Sequence, residues 1–135
     1  MRDTGHPGEP RRPVLGDEIL TIEHRSVAAG DAEWRVVSVR GEIDMTTAPR
    51  LRDQLTQIVH RHSPHLIVDL SGITFCDSSG LTAFLGIARR AALLHGELRL
   101  AAPTDQMRKI LHITGIDRWY PVRPTVQAAL HPSPG

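Results

Sequence analysis

The chain has 135 residues, the length of one ordinary domain able to build a core without disulfide or metal staples. Its 16 basic and 15 acidic residues leave a formal charge of +1, which excludes the strong positive field that nucleic acid or an anionic membrane requires. No apolar run approaches the roughly 20 residues of a membrane span, the N-terminus shows no hydrophobic signal region, and the single cysteine, Cys76, has no internal partner, so a cytoplasmic protein is expected.

Residues 1–16 combine Pro7, Pro10 and Pro13 with Gly5, Gly8 and Gly16, and hold too few apolar groups to offset the entropy of ordering. A flexible tail is expected there and another at 132–135, with one domain across 17–131. From Ile19 a strand is predicted in which Leu20 and Ile22 alternate with Thr21 and Glu23. Val37 and Val39 around Ser38 repeat that period within Trp34 to Arg40, and the turn-rich Ala28 to Ala32 joins the two as a hairpin. After Gly41-Glu42-Ile43-Asp44 and Thr46-Thr47, Pro49 marks a helix start, and Leu51, Leu55, Ile58 and Val59 share one helical face until His62. Pro64 closes that helix, and the strand His65 to Leu70 follows with Leu66, Ile67 and Val68 consecutively apolar, as in a strand covered on both faces.

A second helix is predicted from Ser79 to about His95, turning Leu81, Phe84, Leu85, Ala88, Ala92 and Leu93 or Leu94 toward the sheet, with Gly96 as its C-terminal cap. Arg89, Arg90 and His95 then lie on its exposed face. Glu97 to Ala101 is a further strand. Pro103 opens a third helix, with Met107, Ile110 and Leu111 on one face and Gly115 at its end. Tyr120 to Val122 is a short edge strand, the only strand position Pro121 permits, and Thr125 to Leu130 is a last short helix. The alternation implies an α/β fold: a mixed, mostly parallel sheet of four or five strands, opened by a hairpin, with about four helices.

Two loops carry the chemistry, because functional groups collect where parallel strands end and helices begin. They are Gly41 to Pro49 and Asp77-Ser78-Ser79-Gly80, and both follow consecutive crossover strands. Asp44, Thr46 and Thr47 should therefore lie near Asp77 and Ser78. Helix capping by Asp44 or Thr46 and by Asp77 is the plain alternative. A serine at such a turn also suits phosphorylation, since the positive end of a helix tolerates a phosphate.

The segments Gly41-Glu42-Ile43-Asp44 and Leu66-Ile67-Val68-Asp69-Leu70-Ser71-Gly72-Ile73-Thr74-Phe75-Cys76-Asp77-Ser78-Ser79-Gly80-Leu81 resemble the STAS domain of bacterial anti-sigma factor antagonists. Met107 to Gly115 is similar to that family's third helix, and the resemblance runs from about Ile19 to Leu130. It implies a partner switch and no enzyme. An unmodified antagonist binds an anti-sigma factor that is itself a serine kinase with a GHKL-type ATP site, and so frees the sigma factor. Phosphorylation of the first serine of the pair, here Ser78, ends the binding, and a phosphatase restores it. By the same resemblance Asp77, Ser79 and Gly80 shape the loop, while Asp44, Thr46 and Thr47 line the same partner surface, with no cofactor and no metal.

Two further functions compete. STAS domains also serve as scaffold or sensor subunits of stress and transporter complexes. A serine hydrolase would hold its nucleophile at a similar turn, and Ser78, Asp105 and His112 occur in that order, but Cys76 and Gly80 flank the serines, so G-x-S-x-G is absent. His60, His62 and His65 form an H-x-H-x-x-H run, which straddles a helix end and is expected to be solvated rather than to bind metal. Cys76 is expected to be a packed, unreactive thiol.

Overall fold

A computed structural model describes residues 20–132. The tails expected at 1–16 and 132–135 lie outside these residues except for Pro132, as does Ile19. Strands β1 (Leu20–Ala29) and β2 (Ala32–Ile43) form the antiparallel hairpin, reversing at Gly30, whose φ of +63° suits a residue without a Cβ. Strands β3 (His65–Cys76), β4 (Glu97–Ala101) and β5 (Val122–Arg123) then add in chain order, each parallel to its neighbour, giving the order β1-β2-β3-β4-β5.

Helices α1 (Ala48–Arg61), α2 (Ser78–Leu93) and α3 (Asp105–Ile113) fill the crossovers, and the short α4 (Ile116–Trp119) and α5 (Val126–Leu130) follow. Parallel strands that add in sequential order return their crossovers over one face of the sheet. Accordingly Leu51, Leu55 and Ile58 of α1, Leu81, Phe84 and Ile87 of α2, and Met107 and Leu111 of α3 join Val37, Val39, Leu66, Val68, Leu98 and Leu100 in one core. The alternate strand residues Trp34, Val36, Ile67 and Ala101 face the other way, where Ala129 and Leu130 of α5 cover them. The Arg99 guanidinium lies 4.2 Å from the centre of the Trp34 ring and donates to the Ala129 carbonyl at 2.6 Å, fastening α5 to the sheet.

Four local expectations are corrected. Strand β3 runs on past Leu70 to Cys76, because two register shifts, one opposite Ser38/Arg40 at Leu70-Ser71 and one opposite Gly41/Glu42 at Thr74, absorb the extra residues and keep the ladder paired. Gly41, with φ at +112°, supplies the unusual backbone there. On α2 the buried face is Leu81, Phe84, Ala88 and Ala91 together with Ala83 and Ile87, while Ala92, Leu93 and Leu94 are exposed: Leu93 falls on the side of the helix opposite Phe84, Ala88 and Ala91, and Leu94 is already its C-cap. The edge strand is Val122–Arg123 rather than Tyr120 to Val122: Pro121, which has no N–H, lends its carbonyl to the Leu100 N–H at 2.9 Å, and the Arg123 carbonyl accepts the Ala102 N–H at 2.9 Å. Helix α4 was not expected, and it brings the described helices to five.

Candidate functional site

Because β2 and β3 run parallel and lie side by side, their C-terminal ends emerge at one edge, in register through Ile43 and Cys76. The Asp77 N–H donates to the Ile43 carbonyl at 3.1 Å, which ties the second loop directly to the first. Gly80 closes the approach: a Cβ placed on it would stand 2.6 Å from Ile43 Cγ2 and 2.7 Å from Cys76 Sγ. Only glycine lets the first turn of α2 sit against the end of β2.

In the first loop Asp44 makes an Asx-type turn, its Oδ1 accepting the N–H groups of Thr46 at 2.9 Å and Thr47 at 3.1 Å. Thr47 is fully buried, and its hydroxyl donates to the Glu42 carbonyl at 2.9 Å while accepting the Asp44 N–H at 2.9 Å. Thr47 therefore fixes the loop from within and Thr46 stands at the surface. Asp44 is half-buried between them.

In the second loop Asp77 is the N-cap of α2. Its Oδ1 accepts the Ser79 N–H at 2.9 Å, the Gly80 N–H at 3.3 Å and the Ser79 hydroxyl. These bonds, the Ser79 hydroxyl first, hold the Asp77 carboxyl below its ordinary pKa, so it is charged at neutral pH. The two serines are thereby made unequal. Ser79 is half-buried with its hydroxyl engaged; Ser78 is exposed, and among the described residues its hydroxyl has no partner. The helix N-terminus is less open to an anion than the sequence suggested, since Asp77 already occupies two of its N–H groups.

The edge around Ser78 is acidic, with Glu42 exposed beside Asp44 and Asp77. It is also apolar, which sequence reasoning did not bring out: Met45 is 80% exposed and Phe75, opposite Glu42 in the ladder, is 45% exposed. A lone Met inside Asp44-Met45-Thr46 was the available signal, since a loop gives an apolar side chain no core to enter. Exposed apolar groups rimmed by charge are the composition of a protein-docking surface.

The competing constellations do not assemble. Asp105 Oδ1 is held by Arg108 at 2.8 Å, and His112 Nδ1 lies 3.1 Å from Asp117 Oδ2, so neither is joined to Ser78. The three histidines of the H-x-H-x-x-H run face three neighbours: His60 meets Arg90 at 3.2 Å, the His62 ring packs on His24 with centres 5.1 Å apart, and the His65 ring packs on Trp34 at 5.2 Å. Among the described residues no group of three or more ligating side chains converges. Cys76 is 5% exposed, and burial, with the Asp77 charge second, pushes its thiol up to about 11, so it is a packed group as expected. No helix among the described residues is long and apolar enough to cross a membrane.

Comparison with known proteins identifies the family of the chain. The STAS domain family model matches residues 23–129. The chain is 31% identical over 86 residues, which is 64% of this chain and 75% of the relative, to an anti-sigma-B factor antagonist of Listeria monocytogenes. Its fold superimposes with a TM-score of 0.68 and 34% identity on the crystal structure of an anti-sigma factor antagonist from Mycobacterium paratuberculosis, over 82% of this chain and 92% of that one. The phosphorylated form of the Bacillus cell fate determinant SpoIIAA matches with a TM-score of 0.61 and 25% identity, over 81% of this chain and 96% of that one. The chain belongs to the STAS domain family, among its anti-sigma factor antagonists.

Proposed function

We propose that the protein is a phosphorylation-controlled antagonist of an anti-sigma factor, with Ser78 as the switch. Unphosphorylated, it binds a GHKL-type serine kinase that is also the anti-sigma factor, in the cytoplasm, and thereby releases a sigma factor. The docking face comprises Asp44, Thr46, Asp77, Ser78 and Ser79, with Thr47 and Gly80 holding the two loops in place from beneath. Phosphorylation of Ser78 ends the complex, and a phosphatase restores it. The protein contributes a surface to this cycle and catalyses no step of it.

The observation that carries this reading is the asymmetry of the serine pair: the Ser79 hydroxyl is held by Asp77, whereas the Ser78 hydroxyl is exposed and uncommitted. A phosphate on Ser78 adds about −1.5 to −2 charges beside an Asp77 carboxylate that is already ionised. A partner that covered the serine would have to desolvate or face that charge. A hundredfold loss of affinity needs only ~2.7 kcal/mol, which one misplaced interfacial charge supplies.

The test is incubation with ATP and a candidate anti-sigma kinase, followed by mass spectrometry and a binding titration. Phosphate is expected on Ser78, with Ser78→Ala still binding and Ser78→Asp binding about a hundredfold more weakly. Modification confined to Ser79, or equal affinity of wild type and Ser78→Asp, refutes the assignment.

A further inference from the structure

Beside the Ser78 edge, α1 and α2 do not close completely. Between them lies a groove of about 670 Å³, with Ala48 and Ala83 among its lining residues and Met45, Arg52, Leu85 and Arg89 around it. Three features of this groove have no explanation within the fold. Gly86 lies in the middle of α2, where glycine weakens a helix, yet a Cβ built on it meets nothing within 4 Å. Neither a tight approach nor an unusual backbone calls for it; its effect is to leave the groove open. Arg52 and Arg89 are exposed on the facing helices, and among the described residues neither guanidinium has a carboxylate or hydrogen-bond partner. Met45 reaches the same groove from the first loop, almost wholly exposed.

We propose that the groove is a second docking element that receives an acidic amphipathic helix of the partner. An apolar side chain of that helix seats over Gly86 between Met45 and Leu85, and its carboxylates meet Arg52 and Arg89. The occupant is argued from charge. Two uncommitted guanidiniums flank an apolar trough and call for an apolar group bracketed by anions, the arrangement one face of an acidic amphipathic helix presents. The neighbouring edge is of opposite sign, with Glu42, Asp44 and Asp77. A surface negative at the serine loop and positive at the groove admits a two-signed partner in one orientation only, which supplies register as well as affinity. The proposal rests on the antagonist reading for who the partner is, but the chemistry of the groove can be tested without that partner.

The probe is a short fluorescein-labelled peptide, stapled as a helix, with leucines four residues apart flanked by glutamates; its control replaces every glutamate by glutamine. Anisotropy at low salt should show the glutamate peptide binding about tenfold more tightly than its twin, an advantage that Arg52→Glu with Arg89→Glu removes. Gly86→Leu should remain folded, with an undiminished melting temperature, and bind neither peptide. The Met45 methyl resonance should shift on titration of the wild type. Equal binding of the two peptides, undiminished binding by Gly86→Leu, or no binding by wild type overturns the groove. So does a concentration-dependent dimer that Gly86→Leu dissolves, which would make a second copy the occupant. A Ser78→Asp protein that binds a GHKL-type kinase as wild type does refutes the switch and leaves the peptide result standing, so the two failures are separable.

Discussion

Ser78 and Ser79 are adjacent and chemically identical, and one aspartate makes them different. Asp77 spends its carboxylate on Ser79 and on two N–H groups of the first helical turn, leaving Ser78 to solvent. Asp77→Ala removes the cap and should lower the urea midpoint at neutral pH, whereas Asp77→Asn, which keeps an acceptor, should lower it less. The pH dependence has a definite sign. A carboxyl whose folded pKa is depressed below the ordinary 3.8 stabilises the fold above that value, and the contribution is lost as pH falls through the depressed folded value. The gap between wild type and Asp77→Ala should therefore narrow as the solution is acidified below about pH 4, and a gap independent of pH would show that the charge is irrelevant. Cys76 has the opposite sign. Its thiol is raised from 9.0 to about 11, so stability present below pH 9 should decline as pH rises toward 11. At pH 8 iodoacetamide should leave the folded protein unlabelled and label it after unfolding; rapid labelling of the native state would contradict the buried position of Cys76.

At the scale of elements, two glycines on one helix have opposite meanings, and substitution by alanine separates them. Gly80→Ala drives a methyl into Ile43 and Cys76 and should destabilise by about 1–3 kcal/mol, while loosening the contact that holds the two loops together. Gly86→Ala meets empty space within an α-helix and should stabilise by about 1 kcal/mol. Chemical denaturation of the two variants checks both signs; a destabilising Gly86→Ala would show that the groove is tighter than it stands here. Neither distinction was legible in the sequence, where both residues are helical glycines and spacing says nothing about the neighbouring strand. The elements themselves were largely legible: the period-two pattern gave the hairpin, and Leu51, Leu55, Ile58 and Val59 gave the buried stripe of α1. What misled was local. The strand expected to end at Leu70 is carried on to Cys76 by a bulged ladder, and Leu93 and Leu94, of which one was expected to face the sheet, are both exposed. In the strand, tertiary pairing, absent from a window of sequence, decides the outcome.

For the whole molecule, the shared edge was foreseeable, because consecutive parallel strands must end on the same side, and Asp44 and Asp77 duly stand on loops joined by the Asp77 to Ile43 hydrogen bond. Of the apolar share of that edge, Met45 had a signal in its place inside a polar loop, whereas Phe75, in a strand, had none, since its exposure is a property of the assembled surface. This arrangement sets how the proposed switch works. The Ser78 hydroxyl makes no bond within the described residues, so changing it breaks nothing inside the domain. A negative charge there is repelled by Asp77 and attracted by the N-terminal end of the α2 dipole, two effects of similar size that oppose each other. The net effect of Ser78→Asp on folding should lie within about 0.5 kcal/mol of zero, and any small loss should fade as salt screens the repulsion. Its effect on docking has no such cancellation, because a partner that covers the loop strips away the water that screens the charge. Unfolding of Ser78→Asp at low and high ionic strength, set beside its titration with the kinase, therefore discriminates two kinds of switch. A stability change of several kcal/mol, persisting in high salt, would mean that phosphorylation acts by melting the fold. Unchanged stability with lost binding places the switch at the surface, where charge alone decides whether the partner can sit down.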